Sequence, residues 1–385
     1  MKYATIIPLI GGMTLGNKKA TGKNPEYFIS YDAFKRNDSH AQLNFPDVPF
    51  YIVDETTNKL SDSDFNKIET NIDFVSTVCP CSGLSSLNSG NRGADAPQNE
   101  WMYKTANFVL ENISPTVFFG ENAPALATPT GKKVRDTLYE IGQKYGYSFL
   151  IVKTNTILHG VPQKRQRTFY FFFKNSNVPQ FNTYNRNHKS LVDYLSEVPE
   201  DSLYNDVFVN NDFDENGFMT FIKSKPEYLK ENNIRSVVSF IIKNVNVAEE
   251  AIEFFKQNGY EKEIKFLNHA FNKVNDGKKF WNNSPQLLYT QNATCAIQGR
   301  VFSHSVHPNN KRYLTLREQM HLMGMPMDYK LTDVKYASHI TQNVPVCTAA
   351  DWTLEVMSYI KGELKLTDKQ YDIFDNKLIT NFKLF

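Results

Sequence analysis

The 385-residue sequence is short of cysteine, with four in all. None sits at the spacing of a zinc or redox pair, and no Cys or His pair elsewhere could complete a ligand set. That excludes a disulfide-stapled scaffold, and no metal is expected. Four free thiols fit a reducing compartment. Also missing is any run near the eighteen or so apolar residues that a membrane helix needs. The N-terminus has no basic region followed by an apolar stretch and a small-residue cleavage site, so neither secretion nor membrane insertion is expected. Neither sign of charge dominates: 43 Lys and Arg against 41 Asp and Glu leave a net +2. A nucleic-acid face would therefore have to concentrate its cations locally. No internal repeat is present.

What is present centres on Val78-Cys79-Pro80-Cys81-Ser82-Gly83-Leu84-Ser85-Ser86. The apolar run Ile72–Val75 reads as a buried strand that breaks into a loop of small residues. A cysteine there is well placed as an exposed nucleophile, provided that its neighbours lower its pKa or take its proton. Other strand-to-turn junctions follow at Phe118-Phe119-Gly120-Glu121-Asn122-Ala123-Pro124 and at Gly160-Val161-Pro162-Gln163-Lys164-Arg165-Gln166-Arg167. Residues 3–10, 26–30, 48–54, 116–119, 149–154 and 169–173 read as further strands. Helical periodicity covers 101–113, 131–146 and 347–361. Alternating strands and helices imply a mainly parallel sheet covered on both faces, an α/β fold. Strand 3–10 closes on Gly11-Gly12, and strand 26–30 is followed by Asp32. Glycines that let a backbone approach a ligand, with an acid after the next strand for ribose hydroxyls, are the layout of a nucleotide-type cofactor site.

Pro-Cys, then Glu-Asn, then Gln-x-Arg-x-Arg, in that order, resembles the DNA (cytosine-5)-methyltransferase family. The stretches Arg312 to Glu318, Leu322 to Tyr329 and Gln342-Asn343-Val344-Pro345 resemble its later motifs. The resemblance implies a Rossmann-like S-adenosylmethionine-dependent fold. It implies a catalytic and cofactor-binding domain over 1–180, a smaller target-recognition domain over 181–310, and a C-terminal segment, 311–385, that returns to the first. Two departures stand out. Ile7-Pro8-Leu9-Ile10-Gly11-Gly12 lacks the family's aromatic and first glycine, and Gln342-Asn343 replaces Asn-Ser.

The chemistry suits these residue types. Cytosine C5 is a poor nucleophile until a thiolate adds at C6, and Cys81 is the candidate. Cys79 reads as a buried small residue. The resemblance makes Glu121 the acid at ring N3 and the exocyclic amine. It makes Arg165 the fixed cation near base and thiolate, with Arg167 and Gln163 holding loop and sheet and with Lys164 and Gln166 facing away. It implies cofactor contacts from Ile10, Gly11, Gly12, Asp32, Asp54, Pro80, Asn343 and Val344. A target base inside duplex DNA must be flipped out, with cations on the phosphates. Candidate DNA contacts are Ser85, Lys132, Arg167 and Arg312, with Lys18, Lys19, Lys23, Lys133, Arg135 and Lys311 as further cations. Composition leaves the polar stretch 88–99 open between a lid and a plain connection, and the resemblance favours a lid. The expected partner is double-stranded DNA, bound by a monomer in the cytoplasm of a bacterium or encoded by a phage within one. Alternatives are a catalytically silent DNA-binding homologue, a tRNA cytosine-5 methyltransferase (its Cys-Phe-Thr signature is absent) and a modified sulfonium donor.

Overall fold

In the computed structural model, residues 1–85, 93–208, 217–231, 234, 236–277, 286–287, 292–297, 305–308 and 312–377 are described. They form two compact units, 1–188 with 322–385, and 189–321.

The first unit is built on an eight-stranded sheet. Its strands are β1 (Tyr3–Ile6), β2 (Tyr27–Tyr31), β3 (Phe50–Val53), β4 (Phe74–Val78), β5 (Val117–Asn122), β6 (Ser148–Asn155), β7 (Gln166–Phe173) and β8 (Tyr371–Asp375). The spatial order is β3-β2-β1-β4-β5-β7-β6-β8. All neighbours are parallel except β7, which runs antiparallel to both β5 and β6. The inner strands β1, β2, β4 and β5 are buried at every position, as expected of parallel strands covered on both faces. The Phe169–Phe173 run is sheet core: Phe172 stacks on Phe118 and Phe171 on Phe119, with ring centroids 5.5 and 5.3 Å apart.

Strand order reverses between β1 and β4, and the carboxyl ends beside such a switch point are where α/β sheets hold ligands. The cysteine loop, Glu121 and the Gly11-Gly12 turn all leave the sheet at that edge. Strand β1 is shorter than its apolar run suggested. It stops at Ile6 because Pro8 has no N–H to continue the ladder and Ile7 and Leu9 turn left-handed, with φ of 52° and 50°. Strand β8 was not anticipated. It extends the sheet by pairing with β6.

Helix Gly12–Thr21 packs on helix Val346–Ile360. A Cβ on Gly16 would lie 2.3 Å from Ala349 Cβ, so glycine is what lets the two helices close. Asn17 links them further, donating to Ser76 Oγ (2.7 Å) and accepting from Thr353 Oγ1 (2.8 Å). Residues 322–377 thus belong to the same body as the sheet.

The second unit includes helices Gly217–Lys223, Val237–Lys243, Val245–Gln257 and Glu261–Asn275. They pack around Phe218, Phe221, Ile241, Phe255 and Leu267. The amphipathic pieces 237–242 and 248–255 lie within two of these helices.

Candidate active site

Strand register builds the site. Val78 pairs with Glu121 across β4 and β5, so the cysteine loop emerges directly beside the acid. Asn122 Nδ2 reaches Pro80 O at 3.4 Å and Asn122 Oδ1 accepts from Ala123 N at 2.8 Å, tying the two loops. Gly120 is required here, since a Cβ would sit 2.4 Å from the Tyr170 ring. Tyr170 Oη in turn contacts Cys79 Sγ at 3.7 Å. Cys79 is 1% exposed, a packed core residue, whereas Cys81 is partly open.

One residue the sequence did not single out organises the loop. Asn99 Nδ2 donates to Gly93 O and Ala94 O at 2.9 and 3.0 Å, and Gly93 N donates to Gly83 O at 2.8 Å. Its only local signal is its place after Pro97 at the start of a helix. Ser86 and residues 88–92 of the polar stretch lie outside the described residues, as does Lys311. A cleft of about 410 Å³ opens at this edge, lined by Gly83, Leu84, Ser85, Pro124, Ala125 and Gln166 among others.

The charged groups divide differently from expectation. Arg167 Nε lies 2.6 Å from Glu121 Oε1. Arg165 is 1% exposed and its guanidinium is directed to the backbone carbonyls of Thr341 and Asn343, the latter at 3.1 Å. The cation with the larger effect on both Cys81 and Glu121 is Arg167, with Arg165 behind it. Strand alternation put both arginines on one side, and the carbonyls of Thr341 and Asn343 decide between them. Gln163 is buried and donates to Leu322 O at 2.7 Å, while Lys164 and Gln166 face solvent.

Burial sets the protonation states. Glu121 is 2% exposed, and desolvation raises its carboxyl, with Arg167 and Arg165 pulling it partly back. Its Oε1 has no partner in hydrogen-bond geometry despite the near arginine. The Cys81 thiol is pushed up by burial first and by Glu121 second, against Arg167 and Arg165. Desolvation thus disfavours the charged form of both the acid and the thiol, and the two arginines oppose it.

Next to this cluster lies the turn from β1 into helix Gly12–Thr21. Gly11 takes φ 84° and the helix has no side-chain cap. Gly12 N donates to Asn343 Oδ1 at 2.8 Å, and a Cβ there would meet Asn343 Oδ1 at 2.0 Å and Val344 O at 2.2 Å. Ile10 O accepts from Tyr329 Oη. Asp32 is exposed just after β2, beside Phe34, whose ring meets Trp101 edge-on at 4.8 Å. Asp54 is exposed after β3 and accepts from Thr56 N, Thr57 N and Thr57 Oγ1, closing its own turn. The donor set fits an adenosyl sulfonium with a zwitterionic tail: an open carboxylate for ribose, an aromatic surface, and the buried, unpartnered Asn343 Nδ2.

The surface cations also sort by partner. Lys132 is exposed and pairs with Asp136 at 2.6 Å, and Lys133 pairs with Asp95 at 2.5 Å. Arg135 is buried against Leu126 O and Thr128 O and so braces a loop instead of facing solvent. Arg312 forms a two-pronged pair with buried Glu318, both arms 2.8 Å, which reads as internal bracing. Lys18, Lys19 and Lys23 stay at the surface. Among the described residues no cluster of His, Cys, Asp and Glu could hold a metal ion, and no helix is long and apolar enough to cross a membrane.

Known proteins resemble this chain. The C-5 cytosine-specific DNA methylase family model matches residues 1–346. The Type II methyltransferase M.DdeI of Desulfomicrobium norvegicum is 24% identical over 355 residues, spanning 86% of this chain and 81% of that one. M1.BsuMI of Bacillus subtilis, also a Type II methyltransferase, is 25% identical over 343 residues, 84% of this chain and 72% of its own. Among solved structures, a putative DNA modification methyltransferase encoded within an E. coli prophage superposes with a TM-score of 0.59 at 16% identity, covering 94% of this chain and all (100%) of its own. A Spodoptera frugiperda DNMT2 mutant gives 0.57 at 12%, covering 93% and 100%. These two likenesses bear on the fold, which is that of S-adenosylmethionine-dependent C5 methyltransferases. The chain belongs to the C-5 cytosine-specific DNA methylase family and is a DNA (cytosine-5-)-methyltransferase whose methyl donor is S-adenosylmethionine.

Proposed function

We propose that this enzyme methylates C5 of a cytosine flipped out of a specific double-stranded DNA sequence, through a covalent adduct on Cys81. The observation that carries the reading is the buried Glu121, with its raised carboxyl, its Oε1 beside Arg167 and its register beside the cysteine loop. The Cys81 thiol gives its proton to water in the cleft and its sulfur bonds to C6. The C5–C6 π pair moves toward N3, where the Glu121 carboxyl donates its proton. After C5 gains the methyl group, the C5 proton leaves to water, the C6–S bond breaks and N3 returns its proton to Glu121. The Arg167 guanidinium, 2.6 Å from Glu121, would stabilise both thiolate and developing anion. Arg165 holds the strand to the carbonyls of Thr341 and Asn343, which keeps the adduct site in register with the turn at Gly12. Ile10, Gly11, Gly12, Asp32, Asp54, Pro80, Asn343 and Val344 would hold S-adenosylmethionine, which supplies an electrophilic methyl group when bound. Ser85, beside the cleft, and Lys132 would meet DNA. The helical unit 189–321 would read the sequence.

The test is transfer of labelled methyl to mixed-sequence duplex DNA by wild type and Cys81→Ser. Label recovered as 5-methylcytosine and lost in the variant supports the reading. A duplex carrying 5-fluorocytosine separates the covalent step, because fluorine at C5 blocks the final elimination. Wild type should then form a denaturant-stable protein–DNA complex that Cys81→Ser does not. Methyl transfer at wild-type rate by Cys81→Ser would overturn the covalent role.

A further inference from the structure

The turn that opens helix Gly12–Thr21 holds two side-chain-bearing residues in the left-handed region, Ile7 at φ 52° and Leu9 at φ 50°. A β-branched residue there is an outlier, and such strain persists only where the surroundings over-determine it. Tyr329 on Ile10 O and Asn343 on Gly12 N hold the far end of the turn. The near end is held by Asp38, whose Oδ1 accepts from Leu9 N at 2.8 Å.

Asp38 is an odd residue for that place. It is 0% exposed, and no cation contributes to its environment. Its Oδ2 is buried, and the Ser30 hydroxyl lies close enough to favour the charged form. A buried carboxyl carries a large desolvation cost that packing alone would never select. Asp38 does lie in the first turn of helix Lys35–Asn44, where an acid favours the helix dipole. A dipole role, however, is served at the surface and needs no bond to a strand-end turn.

We propose that Asp38 is a positioning residue of the methyl-donor site: it pins Leu9 in the left-handed conformation that glycine adopts unaided, and so takes the place of the glycine this turn lacks. The inference rests on the reading that the turn at residues 7–12 holds S-adenosylmethionine. Losing the Leu9 N–H bond would let Leu9 relax toward the right-handed or extended region and carry Ile10 and Gly11 away from the ligand. The C-terminal ends of β4 and β5 would not feel it.

Equilibrium dialysis of labelled S-adenosylmethionine against the full chain tests this directly, with melting temperature as the check on folding. Asp38→Ala should weaken binding tenfold or more, while kcat at saturating donor falls less than threefold. Asp38→Asn, which keeps an oxygen acceptor for Leu9 N–H, should return to within threefold of wild type. In a Leu9→Gly background, Asp38→Ala should cost less than threefold. If Asp38→Ala alone fails to fold, the double variant should fold and bind; failure of both would overturn the proposal. Wild-type affinity in Asp38→Ala, with affinity lost in Asp32→Ala, would overturn the role of Asp38 and leave the donor site standing. Unchanged affinity in both would remove the donor-site reading itself.

Discussion

At the ends of β4 and β5 the backbone is ordinary and the side chains are not. At the end of β1 the reverse holds. Among the described residues, none of the five non-glycine residues with positive φ lies in the cysteine loop or the Glu121 turn, whereas two of them, Ile7 and Leu9, lie in the turn after β1 that we propose holds the methyl donor. The residues we propose for catalysis resemble the family pattern at Cys81, Glu121 and both arginines, while the turn after β1 departs from it. Reactive atoms have no substitutes: no other side chain ionises to a polarisable thiolate. A cradle is specified by its backbone shape, which any set of hydrogen bonds can enforce. Asp38, Tyr329 and Asn343 supply such a set. Chemistry constrains identity, and binding constrains geometry.

The largest effect should come where no substitution is possible. Cys81→Ser is expected to lower kcat by roughly 10³-fold or more, with donor affinity within twofold in dialysis. Cys79→Ser should keep most of its activity and lose stability instead, since the thiol is packed against Tyr170 and Thr105. Activity that followed Cys79 would break the comparison at its root.

Glu121→Gln should reduce kcat by about 10²- to 10⁴-fold, and it carries a stability signature as well. Burial raises the folded carboxyl above its unfolded value. Its contribution is therefore complete below the unfolded value and is lost as pH rises through the folded one. The glutamine variant should thus melt above wild type in mildly alkaline buffer, and the gap should close toward pH 4. A gap that widened on acidification would mean that the Arg167 pair, not desolvation, governs this acid.

Asp38 gives the matching measurement in the donor turn. Its carboxyl is raised from 3.8 to about 7, with burial as the leading cause. Wild type should lose stability relative to Asp38→Asn as pH climbs from about 4 to about 7, by roughly 2–4 kcal/mol, and little more beyond. Chemical denaturation across that window reads it. A flat difference would show that the carboxyl is solvated in solution.

Much of the placement of the proposed catalytic cluster was legible in the sequence because its signals are local. A cysteine or glutamate that ends an apolar run is placed by the strand itself, and β4 and β5 need only their usual parallel register to bring Val78 opposite Glu121. Long-range partners were not legible. Nothing near Arg165 announces carbonyls 176 and 178 residues away, so alternation could not say which arginine meets the acid. Arg135 and Arg312 looked like surface cations because their acceptors lie elsewhere in the chain or on the next turn of it. The early end of β1 shows the same limit. Pro8 hinted at a break, yet the left-handed Leu9 depends on Asp38, 29 residues on.

The smallest effect gives the sharpest contrast between the regions, since it compares one residue type in both. Leu9 is 8% exposed in the donor turn and Leu84 is 3% exposed in the cysteine loop, so truncating either to alanine should cost about 2–5 kcal/mol. Going on to glycine separates them. At Leu84, where φ is negative, glycine should be worse than alanine by about 0.5–1 kcal/mol, because it surrenders more backbone freedom on folding. At Leu9 that loss is opposed by relief of the left-handed conformation, which costs an L-residue roughly 1–2 kcal/mol. The order should therefore invert, with Leu9→Gly equal to or more stable than Leu9→Ala by up to about 1 kcal/mol. Urea denaturation of the four variants resolves a difference of that size. If alanine beat glycine at both positions, the donor turn would not be strained, and Asp38 would have nothing to hold.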